Sequence, residues 1–263
     1  MPSRSIKNVD IFKNKLRFKG YAESTIDCYS YFVRLFLEYT NKRLSHITHT
    51  DAYAFIEEYS ESNNSQKNQV ISAIKLFYKY VLNAKLDRVK LERPRKQKKL
   101  PRVIDSEELE HKLSQIKNLK HKTILELGYR CGLRVSEITN LEIKDIDSKK
   151  ILIRNSKGNK DRYVPISESM LRVLRTYYKS YRPRVYLFEG SRGKYSVASC
   201  QKIFKKYIDA NKSFHTLRHS CFTTMMERNT NLHIIQAIAG HAKSSTTEIY
   251  LHVANHHLQE AAL

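Results

Sequence analysis

Several polar side chains near the end of the chain have the types and spacing that phosphate chemistry requires. They lie in three segments: H-T-L-R-H at 215–219, A-G-H at 239–241 and T-T-E-I-Y at 246–250. On a helix, His215 and Arg218 would share one face because they are three residues apart. An arginine guanidinium is planar, permanently charged and bidentate, which suits the non-bridging oxygens of a phosphodiester. A tyrosine close by, Tyr250, is then a candidate nucleophile.

Two upstream segments add further cationic side chains. The first, C-G-L-R-V-S-E-I, contains Arg134 and Glu137, and the second, S-K-G-N-K-D-R-Y-V-P-I, contains Lys157. Arg134 and Glu137 also have the spacing of an ordinary surface ion pair on a helix. The K-G-N sequence is typical of a turn, so Lys157 is predicted near the tip of a small antiparallel hairpin. By charge alone, Lys157 is indistinguishable from Lys160 and Arg162 on the same hairpin.

In their order and spacing, these residues resemble the tyrosine recombinase family, which includes the phage integrases and the Xer proteins. The resemblance rests on six positions: Arg134, Lys157, His215, Arg218, His241 and Tyr250. It covers roughly residues 120 to 253, and the N-terminal third fits the family's core-binding domain more loosely. Each motif alone is weak evidence, whereas the ordered set is very specific.

The resemblance implies roles for the cationic residues. Arg134 and Arg218 are expected to clamp the phosphate, where donors fixed in the protein favour the charge that develops in the transition state. Glu137 is expected to steady this site. Lys157, the lysine that precedes the glycine, is implied as the general acid for the leaving oxygen.

The phenol of Tyr250 needs a base or nearby positive charge to attack at neutral pH, because its ordinary pKa is near 10. His215 suits acid–base chemistry on the tyrosine oxygen, and His241 suits a hydrogen bond to the phosphate, while His219 is interpreted as a structural residue. In proteins that resemble this one, attack by the tyrosine forms a 3′-phosphotyrosyl link and frees a 5′-hydroxyl. The bond energy stays in that adduct, so no ATP or other cofactor is implied.

Metal and cysteine chemistry are less favoured alternatives. His215 and His219 have the spacing of a zinc pair, but the helix lacks the Glu of H-E-x-x-H and Arg218 would repel a cation, so no metal is predicted. The cysteines at 28, 131, 200 and 221 form no C-x-x-C pair and are interpreted as intracellular thiols, mostly buried. Cys131 and Cys221 flank the proposed site, but packing is the commoner use of such residues.

The amino-acid composition indicates which class of partner the protein binds. The chain has 263 residues, 48 Lys and Arg against 26 Asp and Glu, and a net charge of +22, which favours a polyanion such as double-stranded DNA. The sequence has no apolar run near the length of a spanning helix and no apolar signal-peptide core at its N-terminus. We therefore expect a cytoplasmic protein with no membrane partner.

The predicted fold class is mainly α with a small antiparallel β-sheet. Residues 1–86 are predicted to form a four-helix core-binding (SAM-like) domain, and residues 103–263 the tyrosine-recombinase catalytic domain. Residues 87–102 combine prolines with a dense basic run, which predicts an extended linker lying on the DNA backbone. The candidate DNA-contacting residues are Arg93, Arg95, Lys96, Lys98 and Lys99 in the linker, and Lys160 and Arg162 on the hairpin.

Local signals predict where individual elements begin. The candidate N-cap of the second helix is Ser24, that of the third is Thr50 or Asp51, and that of the fourth is Ser65. The candidate N-cap of the first catalytic-domain helix is Asp105. The G-S-R-G-K segment at 190–194 is predicted to be a loop. Aromatic residues at helical spacing in the first domain fit a core and its rim better than base-stacking platforms.

The leading hypothesis is a site-specific DNA recombinase that assembles as a tetramer on two DNA sites, with accessory DNA-binding proteins as further partners. A type IB topoisomerase-like enzyme would use the same phosphotyrosine chemistry for relaxation. A non-catalytic sequence-specific DNA-binding protein is the second alternative, and the intact set of site residues argues against it. The sequence does not distinguish integration, dimer resolution and inversion.

Overall fold

The structure is a computed structural model that describes residues 2–86, 93, 100–156, 160–191, 193–241, 244–251 and 253–254, without the side chains of 2–5, 155, 156 and 160. The chain divides into two compact units, residues 1–98 and residues 99–263. Helices dominate both units, and a small antiparallel sheet lies in the second. The predicted fold class is therefore confirmed.

Four α-helices form the first unit: α1 (Pro2–Phe18), α2 (Glu23–Thr40), α3 (His49–Glu57) and α4 (Asn64–Tyr80). A short 3₁₀ turn, Leu44–His46, precedes α3. The predicted caps of the last three helices were each two or three residues late. The N-cap of α2 is Ala22 without a side-chain bond, whereas Thr48 and Asn63 cap α3 and α4 through their side chains. In α3, Asp51 closes a capping box with Thr48 rather than acting as the cap.

Aromatic rings make up much of the core of the first unit. The Phe36 ring is fully buried and lies 5.3 Å from the Phe55 ring and 6.0 Å from the Phe77 ring, centroid to centroid. The Tyr78 hydroxyl donates a 2.5 Å hydrogen bond to the Thr48 carbonyl, so its polar end is satisfied inside the unit. This arrangement confirms the core interpretation for these rings, while Tyr31 is half exposed at the rim.

The second unit contains seven further α-helices within the described residues: α5 (Ser106–Ser114), α6 (Leu119–Arg130), α7 (Val135–Asn140), α8 (Glu168–Tyr181), α9 (Val197–Tyr207), α10 (His215–Glu227) and α11 (Leu232–Ala239). Residues 248–251 and 253–254 are also helical. Short 3₁₀ turns cover Ile143–Asp145 and Ser244–Thr246. Asp105 caps α5 by accepting from the amides of Glu107 and Glu108, as predicted.

Two antiparallel pairs of strands complete the second unit. Strands β1 (Lys150–Ser156) and β2 (Lys160–Pro165) pair with Ile151 opposite Val164 and Ile153 opposite Arg162. Because directly opposed residues share a face of a sheet, Arg162 lies on the same buried face as these three apolar residues. Strands β3 (Glu189–Gly190) and β4 (Gly193–Lys194) occupy most of the predicted 190–194 loop, where the turn glycines allow a minimal hairpin.

The turn that follows α6 depends on a glycine. Gly132 adopts a φ of +60°, and a Cβ at this position would lie 2.7 Å from the Phe222 ring of α10. A side chain there would meet both backbone strain and a rigid aromatic neighbour. The glycine therefore lets the chain turn tightly against α10 and begin α7 at Arg134.

No helix in the described parts of the chain is long and apolar enough to cross a membrane.

Replacing Phe36 with alanine should lower the free energy of unfolding of the first unit by about 3–5 kcal/mol, because it leaves a cavity among three packed rings. Urea denaturation of the full chain, followed by circular dichroism, measures the change. The half-exposed Tyr31 is the control, and Tyr31→Ala should cost less than about 1 kcal/mol. Equal losses in the two variants would contradict an aromatic core centred on Phe36.

Candidate active site

Helix α10 places a buried arginine at the centre of the candidate site. The Arg218 side chain is almost completely buried, and its Nη1 and Nη2 atoms donate 2.5 Å hydrogen bonds to the carbonyls of Gly132 and Ala239. Its guanidinium carbon lies 4.8 Å from the centroid of the Phe222 ring one turn further along the helix. Within the described residues, its Nε is buried without a hydrogen-bond partner.

Burial and the neighbouring charge of Arg134 lower the pKa of Arg218 to about 10. The guanidinium is still fully protonated at neutral pH, so a permanent positive charge lies in a low-dielectric site. An anion that reached the unpartnered Nε would meet both a donor and that charge. This is the chemistry of a phosphate clamp.

A second group of charges surrounds Glu137. Its Oε1 accepts from Arg134 Nη1 at 2.7 Å and from Arg162 Nη1 at 2.8 Å. Its Oε2 accepts from the Arg134 backbone amide at 2.9 Å and from Arg162 Nη2 at 2.8 Å. Arg134 Nη2 also reaches the Ala239 carbonyl at 3.3 Å, the same carbonyl that binds Arg218. Arg134 and Glu137 are therefore part of a partly buried network rather than an ordinary surface pair.

Burial by itself would raise the pKa of Glu137, but the hydrogen bonds and charges of Arg162 and Arg134 outweigh it and lower the pKa to about 2. The carboxylate is consequently ionised at any physiological pH. It fixes the backbone amide and the guanidinium of Arg134 together, which restricts the direction of that side chain.

The structure corrects the prediction that Arg162 contacts the DNA backbone. Its side chain is only 9% exposed, and both terminal nitrogens bind Glu137 while Nε donates to the Ile238 carbonyl at 2.7 Å. The Arg162 side chain also packs against Gly240, where an added Cβ would lie 2.9 Å from Arg162 Cδ. Arg162 lies opposite Ile153, so its side chain is on the inward face of β2. The alternation of inward and outward residues along β2 was the sequence signal that could have predicted its burial.

The candidate nucleophile is buried beside α10. Tyr250 is 2% exposed, and its hydroxyl lies 3.0 Å from His219 Nδ1. Its ring contacts the Phe222 ring at 5.4 Å and stacks near the His241 ring at 6.3 Å, centroid to centroid. Burial, only partly offset by the positive charge of Arg218, raises the pKa of the phenol to about 12.

His215 does not take the position expected for it. The residue that contacts the phenol is His219, one turn further along α10, and the His215 ring lies edge-on to the His219 ring with centroids 4.4 Å apart. His219 was interpreted as a structural hydrogen-bonding residue, and the partner of its hydrogen bond is the phenol. Periodicity could not separate the two histidines, because both lie on the same helix face.

His241 follows the end of α11, where Gly240 adopts a left-handed conformation with φ of 60°. Its Nε2 lies 3.3 Å from Arg218 Nη2, and its Nδ1 lies 3.0 Å from the hydroxyl of Thr247, a residue that the sequence analysis did not single out. Burial and the charge of Arg218 lower the pKa of His241 to about 4, so the ring is neutral at physiological pH. A neutral imidazole fixed at Nδ1 can direct its other nitrogen toward an anion.

An open, basic cleft of about 620 Å³ lies along this face of α10. Its lining residues are Arg102, Gln201, Lys205, Asn211, Lys212, Ser213, His215, Thr216 and His219. The cationic side chains among them favour a polyanion. The cleft joins the two histidines of α10 to solvent.

Several predicted site residues fall outside the described part of the chain. They are Lys157 at the hairpin turn and Arg95, Lys96, Lys98 and Lys99 in the linker, together with the side chain of Lys160. Arg93 is described and exposed, and its Nη2 donates to Ser72 Oγ at 3.1 Å.

The cysteines beside the site are poor candidates for chemistry. Cys131 and Cys221 are buried free thiols, and burial raises the pKa of Cys131 to about 12 and that of Cys221 further still. A thiol in this state is protonated and unreactive. Across the described residues, no group of three or more His, Cys, Asp or Glu side chains could hold a metal ion.

Comparisons with known proteins identify the family of the chain. Residues 102–257 match the phage integrase family, and residues 9–88 match the phage integrase N-terminal SAM-like domain. Tyrosine recombinase XerA from Pyrococcus horikoshii is 36% identical over 97% of this chain and 93% of its own length. The crystal structure of XerA recombinase is similar with a TM-score of 0.55 at 25% identity, over 97% of this chain and 96% of that chain.

A crystal structure of a lambda integrase tetramer bound to a Holliday junction is similar in fold, with a TM-score of 0.73 at 14% identity, over 93% of this chain and 76% of that chain. The family match covers more than half of the chain and includes every element of the site just described. This protein therefore belongs to the phage integrase family and is a tyrosine-type site-specific recombinase.

Proposed function

We propose that Tyr250 attacks a DNA phosphodiester, forming a 3′-phosphotyrosyl link and releasing a 5′-hydroxyl. The observation that carries this proposal is the convergence of a phenol, two arginines and a neutral imidazole at one site, with the buried Nε of Arg218 directed at no described partner. Rejoining the adduct to a different 5′-hydroxyl then recombines two strands. The chemistry needs no ATP, because the adduct conserves the energy of the phosphodiester bond.

The arginines act on the charge that develops during attack. As the phosphorus becomes five-coordinate, negative charge grows on its equatorial oxygens, and donors already fixed in place stabilise that state most. Arg218 is held by two carbonyls and Arg134 by Glu137 and Arg162, so neither has to reorganise. His241 lies beside Arg218, with Nδ1 3.0 Å from the Thr247 hydroxyl, and is placed for a hydrogen bond to the phosphate.

We assign the leaving-group proton to Lys157, since a 5′-alkoxide must be protonated as it departs. The resemblance selects this lysine, which lies in sequence between strands β1 and β2 of the unit that contains the site. Lys160 is a candidate contact to the DNA backbone.

The substrate is double-stranded DNA in this proposal. A net charge of +22 and the basic cleft beside α10 support it. We propose that residues 1–86 bind the duplex core site and residues 103–263 cut it. The linker 87–102 would cross the backbone through Arg93, Arg95, Lys96, Lys98 and Lys99.

Tyr250 must become accessible before it can react. In the free protein the phenol is 2% exposed and bound to His219. The cover over the phenol therefore has to open when DNA binds, while its contact with His219 is kept. This requirement would keep the nucleophile from attacking phosphates at random.

We propose that the working assembly is a tetramer on two DNA sites, with accessory DNA-binding proteins deciding when it forms. The similar fold of a lambda integrase tetramer bound to a Holliday junction supports the assembly. Strand exchange between two sites requires four cleavages, and each protomer carries one nucleophile.

The direct test is covalent trapping. The DNA site is first selected from random duplexes, then labelled and nicked next to the cleavage position so that the freed fragment is lost. The wild-type protein should form an SDS-resistant adduct linked to Tyr250, and Tyr250→Phe should form none while binding the site equally well. Tyr178→Phe, at a half-exposed tyrosine on α8, should form the adduct like the wild type.

An adduct in the Tyr250→Phe variant would contradict the assignment of the nucleophile. No adduct with the wild type on demonstrably bound DNA would favour regulation over catalysis. On a plasmid with two sites, recombinant products identify strand exchange, whereas relaxation without exchange would identify a topoisomerase-like activity.

Arg162→Met should lower the free energy of unfolding by about 3–5 kcal/mol, because it leaves the buried Glu137 charge with one partner fewer. Urea denaturation of the DNA-free protein measures this loss. Arg172→Met is the matched control: its side chain is 70% exposed and lies 3.8 Å from Glu168, so the change should be below about 1 kcal/mol. Similar values for the two variants would rule out a positioning role for Arg162.

A further inference from the structure

The proposed reaction leaves one proton without an acceptor. Tyr250 has to lose its phenolic proton as its oxygen bonds to phosphorus, and the two arginines of the site are permanent cations that cannot accept it. Lys157 serves the other end of the reaction, where it supplies a proton to the leaving oxygen. A separate base is required, and the following inference deepens the proposed function and depends on it.

The histidine in contact with the phenol is well placed for this task. His219 Nδ1 lies 3.0 Å from the Tyr250 oxygen, within the range for proton transfer. The His219 ring also borders the open cleft on α10, together with His215. One side of the imidazole therefore faces the nucleophile, and the ring has a route to solvent.

We propose that His219 is a catalytic residue, the general base that takes the proton from Tyr250. The resting imidazole carries its hydrogen on Nε2, so that the Nδ1 lone pair accepts a hydrogen bond from the phenol. During attack the phenolic O–H bond breaks, the proton moves to Nδ1, and the bond between the tyrosine oxygen and phosphorus forms. The P–O5′ bond breaks with its electron pair on the 5′-oxygen.

The reverse reaction uses the same atoms. When a 5′-hydroxyl attacks the phosphotyrosine, the bond from phosphorus to the tyrosine oxygen breaks. The imidazolium of His219 then returns its proton to that oxygen. Between the two steps the imidazolium can exchange its Nε2 proton with water in the cleft or with His215, whose ring centroid is 4.4 Å away.

The charges around His219 keep it neutral until DNA arrives. Burial, His215 and Arg218 lower the pKa of His219 to about 4, and Tyr250 faces it from the C-terminal helical segment. Across the cleft lie the cationic side chains of Arg102, Lys205 and Lys212. A bound phosphodiester adds negative charge among these groups, which favours the imidazolium and so strengthens the base when substrate is present.

His219→Asn provides the test. An asparagine amide can still hydrogen-bond near the Nδ1 position, but it does not accept a proton at neutral pH. On the nicked duplex, single-turnover adduct formation should slow at least about a hundredfold, the usual contribution of a general base. The wild-type rate should be nearly constant from about pH 6 to 8, because a neutral base is present throughout, whereas the variant should accelerate about tenfold per pH unit as hydroxide replaces the base.

His233→Asn is the matched control, because His233 is exposed on α11 and should leave both the rate and its pH dependence unchanged. A His219→Asn variant with the wild-type rate across this pH range would overturn the proposal. A wild type that forms no adduct would instead refute the proposed function, so the two failures are distinguishable.

A second measurement does not depend on activity. Nitrogen-15 NMR of histidine-labelled wild-type protein reports which ring nitrogen of His219 carries the hydrogen. We expect the Nε2–H form with Nδ1 as acceptor, and Tyr250→Phe should shift the Nδ1 signal. An Nδ1–H form, with the ring donating to the phenol, would overturn the proposal.

Discussion

The burial of the Arg218 guanidinium is the constraint on which the catalytic unit depends. A buried charge costs several kcal/mol unless its donors are satisfied. Two backbone carbonyls accept from the terminal nitrogens of Arg218, while its Nε has no partner among the described residues. The Gly132 carbonyl belongs to the turn that leads to Arg134, and the Ala239 carbonyl ends the helix that leads to His241. Arg218 can therefore be buried only when both segments are in place, so folding and site assembly are the same event.

A surplus of positive charge follows from this arrangement. Arg134, Arg162 and Arg218 lie around the carboxylate of Glu137, whose pKa of about 2 records how strongly the cations stabilise its ionised form. The same field and the same burial disfavour charged histidines, so His219 and His241 are neutral at physiological pH. The site is thus complementary to an anion, and the phenol is protonated at physiological pH.

The charged residues near the hairpin show where reasoning from the sequence succeeded and where it stopped. The resemblance to the tyrosine recombinases grouped Arg134, Glu137, Arg218, His241 and Tyr250 as one site. In the structure their side chains lie close together, and their catalytic roles remain predictions. Arg162 was misassigned because a basic residue next to a turn looks like a surface residue. Its true environment depends on strand register: it is opposite Ile153 and therefore on the buried face.

The sequence by itself determined the helix-rich fold class, through local periodicity, and the family, through residue types in a fixed order. Helix starts were nearly predictable, with errors of two or three residues where Ala22, Thr48 and Asn63 precede the expected caps. Only the tertiary structure decided that His219 rather than His215 meets the phenol, and that Thr247 orients His241. Both pairings join segments far apart on the chain or separated by a turn, and they depend on how α10 packs against its neighbours, a geometry that no local pattern encodes.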